Sequence, residues 1–132
     1  MDLEIIEIAS NTENHKVLKN STHASKLKNP ICGDEMQINL KVVNENIKDF
    51  GYQCKSCVYC QASASLLSRN SINKSIKKIK DLLNIVEIFF HKKENKLPDE
   101  WSVFNKLFDK KNISRKDCLL LPFRALSRAL KL

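Results

Sequence analysis

The sequence predicts an α+β domain, with a small antiparallel β-sheet packed against helices, on three observations. Residues 36–42, MQINLKV, alternate strictly between apolar and polar side chains, and residues 47–54, IKDFGYQC, resume an alternation after a short polar turn. Beyond residue 58 the apolar spacing changes from two residues to three and four. Strands gathered early and helices gathered late describe a sheet with helices set against it, rather than a βαβ repeat.

Taken in order, residues 3–9 can form a short helix with Leu3, Ile6 and Ile5 on one side. Residues 10–30, SNTENHKVLKNSTHASKLKNP, are polar and irregular and read as an extended wrap. In the strand 36–42, Met36, Ile38, Leu40 and Val42 share one face, and Gln37, Asn39 and Lys41 share the other. Asn44, Glu45 and Asn46 make a turn, so residues 36–54 read as a β-hairpin with Phe50, Tyr52 and Cys54 on a common face. A helix starts near Val58, and the small residues Ala62, Ser63, Ala64 and Ser65 let it approach a neighbour closely; Cys57 falls at the strand-to-helix junction. A second helix, with Ser71 as its N-cap, carries Ile72, Ile76, Ile79, Leu82, Leu83, Val86, Phe89 and Phe90 on one side and lysines on the other. Pro98 can open a third helix with Trp101, Phe104, Leu107 and Phe108 in the core. Pro122 can sit in the first turn of a fourth, which Cys118 precedes or begins. No internal repeat is visible, and residues 1–132 read as one domain.

A chain of this length buries about two thirds of its unfolded surface and does not need metal or disulfides to fold, so a bound metal would serve function. No apolar run approaches the ~18 residues of a membrane span, and acids stand where a signal peptide carries its basic flank, so a cytoplasmic protein without a membrane partner is expected. Lys and Arg outnumber Asp and Glu by 23 to 15, a net charge of +8. Charge alone supplies non-specific attraction, and these runs are expected to be solvated surface rather than a nucleic-acid site. Five cysteines, an odd number, point to thiolates for metal or sulfur chemistry rather than a disulfide framework.

Three of the five lie in YQCKSCVYC as Cys54, Cys57 and Cys60. A ferredoxin-type run fails because no Cys-Pro follows Cys60, and a zinc knuckle fails because neither a second C-x₂-C nor an H-x₃₋₅-H exists. Cys32 and Cys118 stand at the edges of expected elements, and in PICGD the flexible Gly33 leads to Asp34, two residues from a thiol. Thiolates are soft ligands and a carboxylate is a harder, more readily displaced one, so a mixed set suits a site that must release what it binds. His15, His23 and His91 are isolated in polar sequence and expected at the surface. Ser63 and Ser65 have no His or acid close by in sequence to activate them as nucleophiles.

Three phrases in order, NPICGDEMQINLKV, CVYCQASASLL and RKDCLLLPFRAL, resemble those of the U-type iron–sulfur cluster assembly scaffolds, the NifU N-terminal, IscU and SufU group. The resemblance spans nearly the whole chain and, by the long spacing before the last phrase, is nearest the SufU branch. It implies a SufU/IscU-like fold with Cys32, Asp34, Cys57 and Cys118 as the ligand set, Cys57 being the cysteine at the family's distance from ASAS. It also implies a basic residue near the site, matched by Arg115, which could lower a thiolate pKa; Cys54 and Cys60 are left near the site without binding metal, as packed thiols or as auxiliary sulfur acceptors. Asp117 stands where IscU members carry His and SufU members often carry Lys, and NISRKD stands where IscU members carry their chaperone-recognition segment. The family's role is to assemble a [2Fe–2S] cluster, with [4Fe–4S] as a further form, and pass it to acceptor or carrier proteins. Sulfur comes from a cysteine desulfurase. Such a protein is a carrier and not a turnover enzyme. The alternative is that the same residues hold Zn²⁺ and the protein accepts persulfide from, or stimulates, the desulfurase.

Overall fold

The computed structural model describes residues 3–30, 33–92 and 96–132. Three strands, β1 His23–Lys28, β2 Glu35–Val43 and β3 Asn46–Lys55, form an antiparallel sheet in the order β1-β2-β3. The hairpin turns at Asn44 and Glu45, both at positive φ, the two-residue geometry that matches strand twist. Met36, Ile38, Leu40, Phe50 and Tyr52 are buried, as the alternation predicts. Ile47 is buried too, although it lies three residues from Phe50. A bulge at Lys41/Val42, where the partner changes from Asp49 to Ile47, turns it to the core face.

β1 lies inside the segment expected to be an irregular wrap. The rest of that segment does wrap: Tyr52 N–H donates to Asn14 O at 3.0 Å along the free edge of β3. The wrap passes so close to Gly51 that an added Cβ would meet Lys16 O at 2.5 Å, which is why a strand interior carries glycine here.

Four α-helices, α1 Leu3–Ala9, α2 Val58–Ser71, α3 Ile76–Lys92 and α4 Lys116–Ala129, complete the fold with two 3₁₀ segments, Asp99–Lys106 and Lys110–Arg115. α1 buries Ile5 and Ala9, whereas Leu3 and Ile6, expected on the same side as Ile5, face solvent. Ser71 ends α2 instead of capping the next helix. The cap is Ser75, whose Oγ accepts from Lys78 N–H at 3.1 Å, and Ile72 lies outside the helix. Trp101, Phe104, Leu107 and Phe108 are buried as expected, but the three-residue spacing of the first three belongs to a 3₁₀ turn. Pro122 lies deep inside α4, not in its first turn.

α4 packs against α2 and against β1 and β2, and Cys118, Leu119, Leu120, Leu121, Phe123, Ala125 and Leu126 are all buried. α2 lies beside it and covers β3. One hydrophobic cluster therefore joins sheet and helices, and the starts of β2, α2 and α4 come together at its rim. No described helix is long and apolar enough to cross a membrane.

Candidate metal centre

Asp34 immediately precedes β2, and Gly33 beside it sits at φ +77°, a conformation that favours glycine. Gly33 N–H donates to Asn29 O, and Asn29 N–H to Asp34 O, both at 2.8 Å, which pins the carboxylate at the sheet's end. Cys57 is the N-cap of α2, in extended backbone between β3 and the helix. Cys118 is the third residue of α4. The carboxylate and the two sulfurs lie within 4.8 Å of one another, with Asp34 and Cys118 buried and Cys57 half-buried. Donors on one tetrahedral zinc or iron would stand roughly 3.8 Å apart at the usual metal–sulfur length, so small rotamer changes suffice to close the group on an ion. Cys32 lies outside the described residues.

The electrostatics of this group favour a cation. Asp34 Oδ2 is buried and has no hydrogen-bond partner among the described residues, an expensive state for a carboxylate unless a positive charge is supplied. Burial pushes the Cys118 thiol far above its ordinary range, and the neighbouring Cys57 and Asp34 add to the shift. A bound metal ion reverses that balance by stabilising all the anions at once.

Arg115 is not among the groups that act on this thiol most strongly. Its guanidinium lies 5.4 Å from the centre of the Tyr59 ring, and the effects on Cys118 all act upward. The contact instead links the residue preceding α4 to the first turn of α2, across the two helices that carry Cys118 and Cys57. Asp117 faces Arg124 at 3.8 Å and is not in the converging group. Cys54 is half-buried on β3 and Cys60 fully buried on α2; burial raises both thiols, and the Asp34 and Cys57 charges raise them further.

Two features escaped sequence reasoning. Ser63, fully buried, donates its Oγ to Leu119 O at 2.6 Å, one residue beyond Cys118. Pro122, inside α4, has no N–H to offer the carbonyl of Cys118, the residue just before the one that Ser63 binds. Ser63 thereby holds the Cys57 helix in register with the Cys118 helix. His15 is exposed as expected, yet its ring meets Tyr52 edge-on at 5.2 Å and its Nε2 accepts from Cys54 N–H at 3.5 Å. Nothing in the local sequence of either residue points to its partner.

The model of the NifU-like N-terminal domain matches residues 2–107. The chain belongs to this family. The match ends before Cys118, but an iron–sulfur cluster assembly scaffold protein IscU from Thermotoga maritima is 30% identical over 128 residues, covering 96% of this chain and 89% of the relative. A second protein of that name, from Streptococcus pyogenes, is 25% identical over 130 residues, covering 98% of this chain and 82% of the relative. Among solved structures, the N-terminal NifU-like protein of Brucella abortus superposes with a TM-score of 0.88 at 20% identity, covering 98% of this chain and 91% of that one. A protein named as a cluster assembly scaffold for the SUF system, from Fervidobacterium islandicum, gives 0.87 at 23%, covering 98% and 96%. At these identities the structural likenesses establish the fold, and they bear out the α+β reading with its three-stranded sheet.

Proposed function

We propose that this NifU-like domain is a cytoplasmic scaffold on which an iron–sulfur cluster is assembled and from which it is passed to acceptor proteins. The observation that carries the reading is the convergence of Asp34, Cys57 and Cys118, with Asp34 Oδ2 buried and without a hydrogen-bond partner among the described residues, in a chain of the NifU-like family. In this reading residues 1–132 act as one domain and Cys32, beside Asp34 in sequence, supplies the third thiolate.

The division of labour follows from ligand chemistry. Thiolates hold iron and bridge readily to sulfide chemistry, whereas the carboxylate is the harder and more exchangeable donor. Asp34 is the ligand that loosens when the cluster leaves. The substrates are iron, sulfide-level sulfur from a cysteine desulfurase, and electrons; the product is a [2Fe–2S] cluster, convertible to [4Fe–4S], delivered to an acceptor. The domain performs no turnover chemistry on a small molecule in this scheme.

Anaerobic reconstitution with iron and sulfide tests the reading, with each of the five cysteines changed to Ser in turn. Cys32→Ser, Cys57→Ser and Cys118→Ser are expected to lose bound iron and labile sulfide, and Cys54→Ser and Cys60→Ser to keep them. Asp34→Ala is expected to hold its cluster longer than the parent when challenged with an acceptor. Stoichiometric zinc in the purified protein, with no cluster on reconstitution, would instead support a zinc-bound sulfur acceptor.

A further inference from the structure

Cys57 and Cys60 form a C-x₂-C pair at the N-terminus of α2, the first at the N-cap with φ −69° and ψ 166° and the second one turn into the helix. An N-cap residue and the residue three beyond it are neighbours across the first helical turn, and a disulfide between them needs their Cβ atoms brought to about 3.5–4.5 Å. The extended backbone at Cys57 leaves its side chain free to turn toward its neighbour or toward the metal-binding group. Cys60 is completely buried, yet it is not an isolated core thiol: it lies within electrostatic reach of Cys54, Asp34 and Cys57. The buried Ser56 Oγ, in no well-formed hydrogen bond among the described residues, lies beside the Cys54 and Cys60 thiols, where it can donate to a sulfur that has lost its proton.

We infer that Cys60 is a second reactive thiol of this site, which attacks a persulfide carried on Cys57 and releases its outer sulfur as sulfide. The inference rests on the scaffold reading, in that sulfur is taken to arrive on Cys57 from a persulfide donor. The Cys60 sulfur bonds to Cys57 Sγ, and the bond from that Sγ to the outer sulfur breaks. The electron pair leaves with the outer sulfur as HS⁻, and the Cys60 thiol proton passes to solvent. The delivered sulfur gains two electrons, one drawn from each of the two cysteine sulfurs, which end as a disulfide. An external dithiol then restores the pair. Cys118 and Asp34 stay bound to iron throughout, which a disulfide between Cys57 and Cys118 would not allow. Burial keeps Cys60 from bulk reagents, so its first accessible electrophile is the sulfur on Cys57.

The test loads the metal-free full chain with inorganic polysulfide under anaerobic conditions, removes excess reagent, and follows sulfide release and the masses of the cysteine peptides. The parent and Cys54→Ser are expected to release sulfide and leave a Cys57–Cys60 disulfide. Cys60→Ser is expected to keep one added sulfur on Cys57, with release slowed about tenfold or more. Release from Cys60→Ser at the parent rate, or a disulfide from Cys57 to Cys54 or Cys118, overturns the assignment. Reconstitution from iron and ready-made sulfide is run beside it: Cys60→Ser should still take a cluster, which shows its fold is intact, and Cys60→Ala replaces it if it does not. A parent that takes neither sulfur on Cys57 nor a cluster overturns the scaffold reading itself. A parent that takes a cluster, with Cys60→Ser releasing sulfide normally, overturns only the role of Cys60.

Discussion

Replacing Asp34 with Asn separates a metal ligand from a structural residue, because the expected effect reverses sign with the state of the site. In the metal-free protein the Asp34 carboxylate is buried close to Cys57 and Cys118, and Oδ2 has no hydrogen-bond partner among the described residues. A buried polar atom left without a partner costs about 1–3 kcal/mol, and more when charged. Asn keeps the shape and removes the charge, so about 1 kcal/mol of stability should be recovered, a rise in midpoint of roughly 2–5 °C for a domain of this size. If the carboxylate ligates a bound metal, as proposed, its loss should weaken binding at least about tenfold, taking about 1.4 kcal/mol from the stabilisation that a fixed excess of zinc confers. The assay is thermal unfolding of parent and variant in chelator and in buffered zinc. The reasoning fails if Asp34→Asn lowers the midpoint in chelator, or if the zinc-induced increment is the same in both proteins.

Three further outcomes follow from the geometry. Gly51→Ala drives a Cβ against Lys16 O, so residues 14–18 must move off β3; a loss of about 1–3 kcal/mol is expected by urea unfolding, with the Asn14–Tyr52 hydrogen bond released in amide exchange. Ser63→Ala removes a 2.6 Å buried bond between α2 and α4, and should cost about 1 kcal/mol in chelator and also reduce zinc affinity, a second effect that a remote core bond would not have. The third concerns pH. Tyr52, Cys54, Cys60 and Cys118 are all raised, chiefly by burial, so the fold binds their protons more tightly than the unfolded chain does. Their contribution is complete below the ordinary thiol value of about 8.5 and is lost as pH rises toward the folded values, by at most about 1.4 kcal/mol per group per pH unit. Metal-free protein should therefore unfold at lower urea at pH 9.5 than at pH 7.5, with a smaller difference in Cys60→Ser; equal midpoints for the parent would contradict it.

The hairpin was legible because a half-buried strand writes its burial into a period of two, and residues 36–42 and 50–54 carry that period. β1 was not legible because its inward positions are His23, Ser25 and Leu27, and only one of them is apolar. Its conformation is set by pairing with β2 and by the Ser25 Oγ bond to Ala125 O at 2.6 Å, a hundred residues away. The buried side of α1 was legible only at Ile5, for a related reason: seven residues make too few turns for the pattern to separate Ile5 from Leu3 and Ile6, and packing on α2 buries Ile5 with Ala9. At the boundary between α2 and α3, Ser71 and Ser75 are both good caps. The first is fully buried in α2, and the second is held where the α2–α3 turn pairs with β3, through Asn73 N–H to Ile47 O at 2.7 Å and Ile76 N–H to Glu45 O at 2.9 Å.

For the site, the sequence by itself determined the family and the donors on offer, because cysteine spacing, a Gly-Asp pair and a strand-to-helix junction are local chemical facts. Which donors meet is not a local fact. Asp34 and Cys118 are 84 positions apart in the chain, and their approach to Cys57 depends on α4 packing against β1 and β2 beside α2, which covers β3. The tertiary structure also decided the electrostatics. Burial is the largest influence raising the proton affinity of Cys118, and Asp34 Oδ2, buried beside the group, has no well-formed hydrogen bond among the described residues. Desolvation depends on what the whole fold excludes from a position, and no stretch of sequence around that position records it.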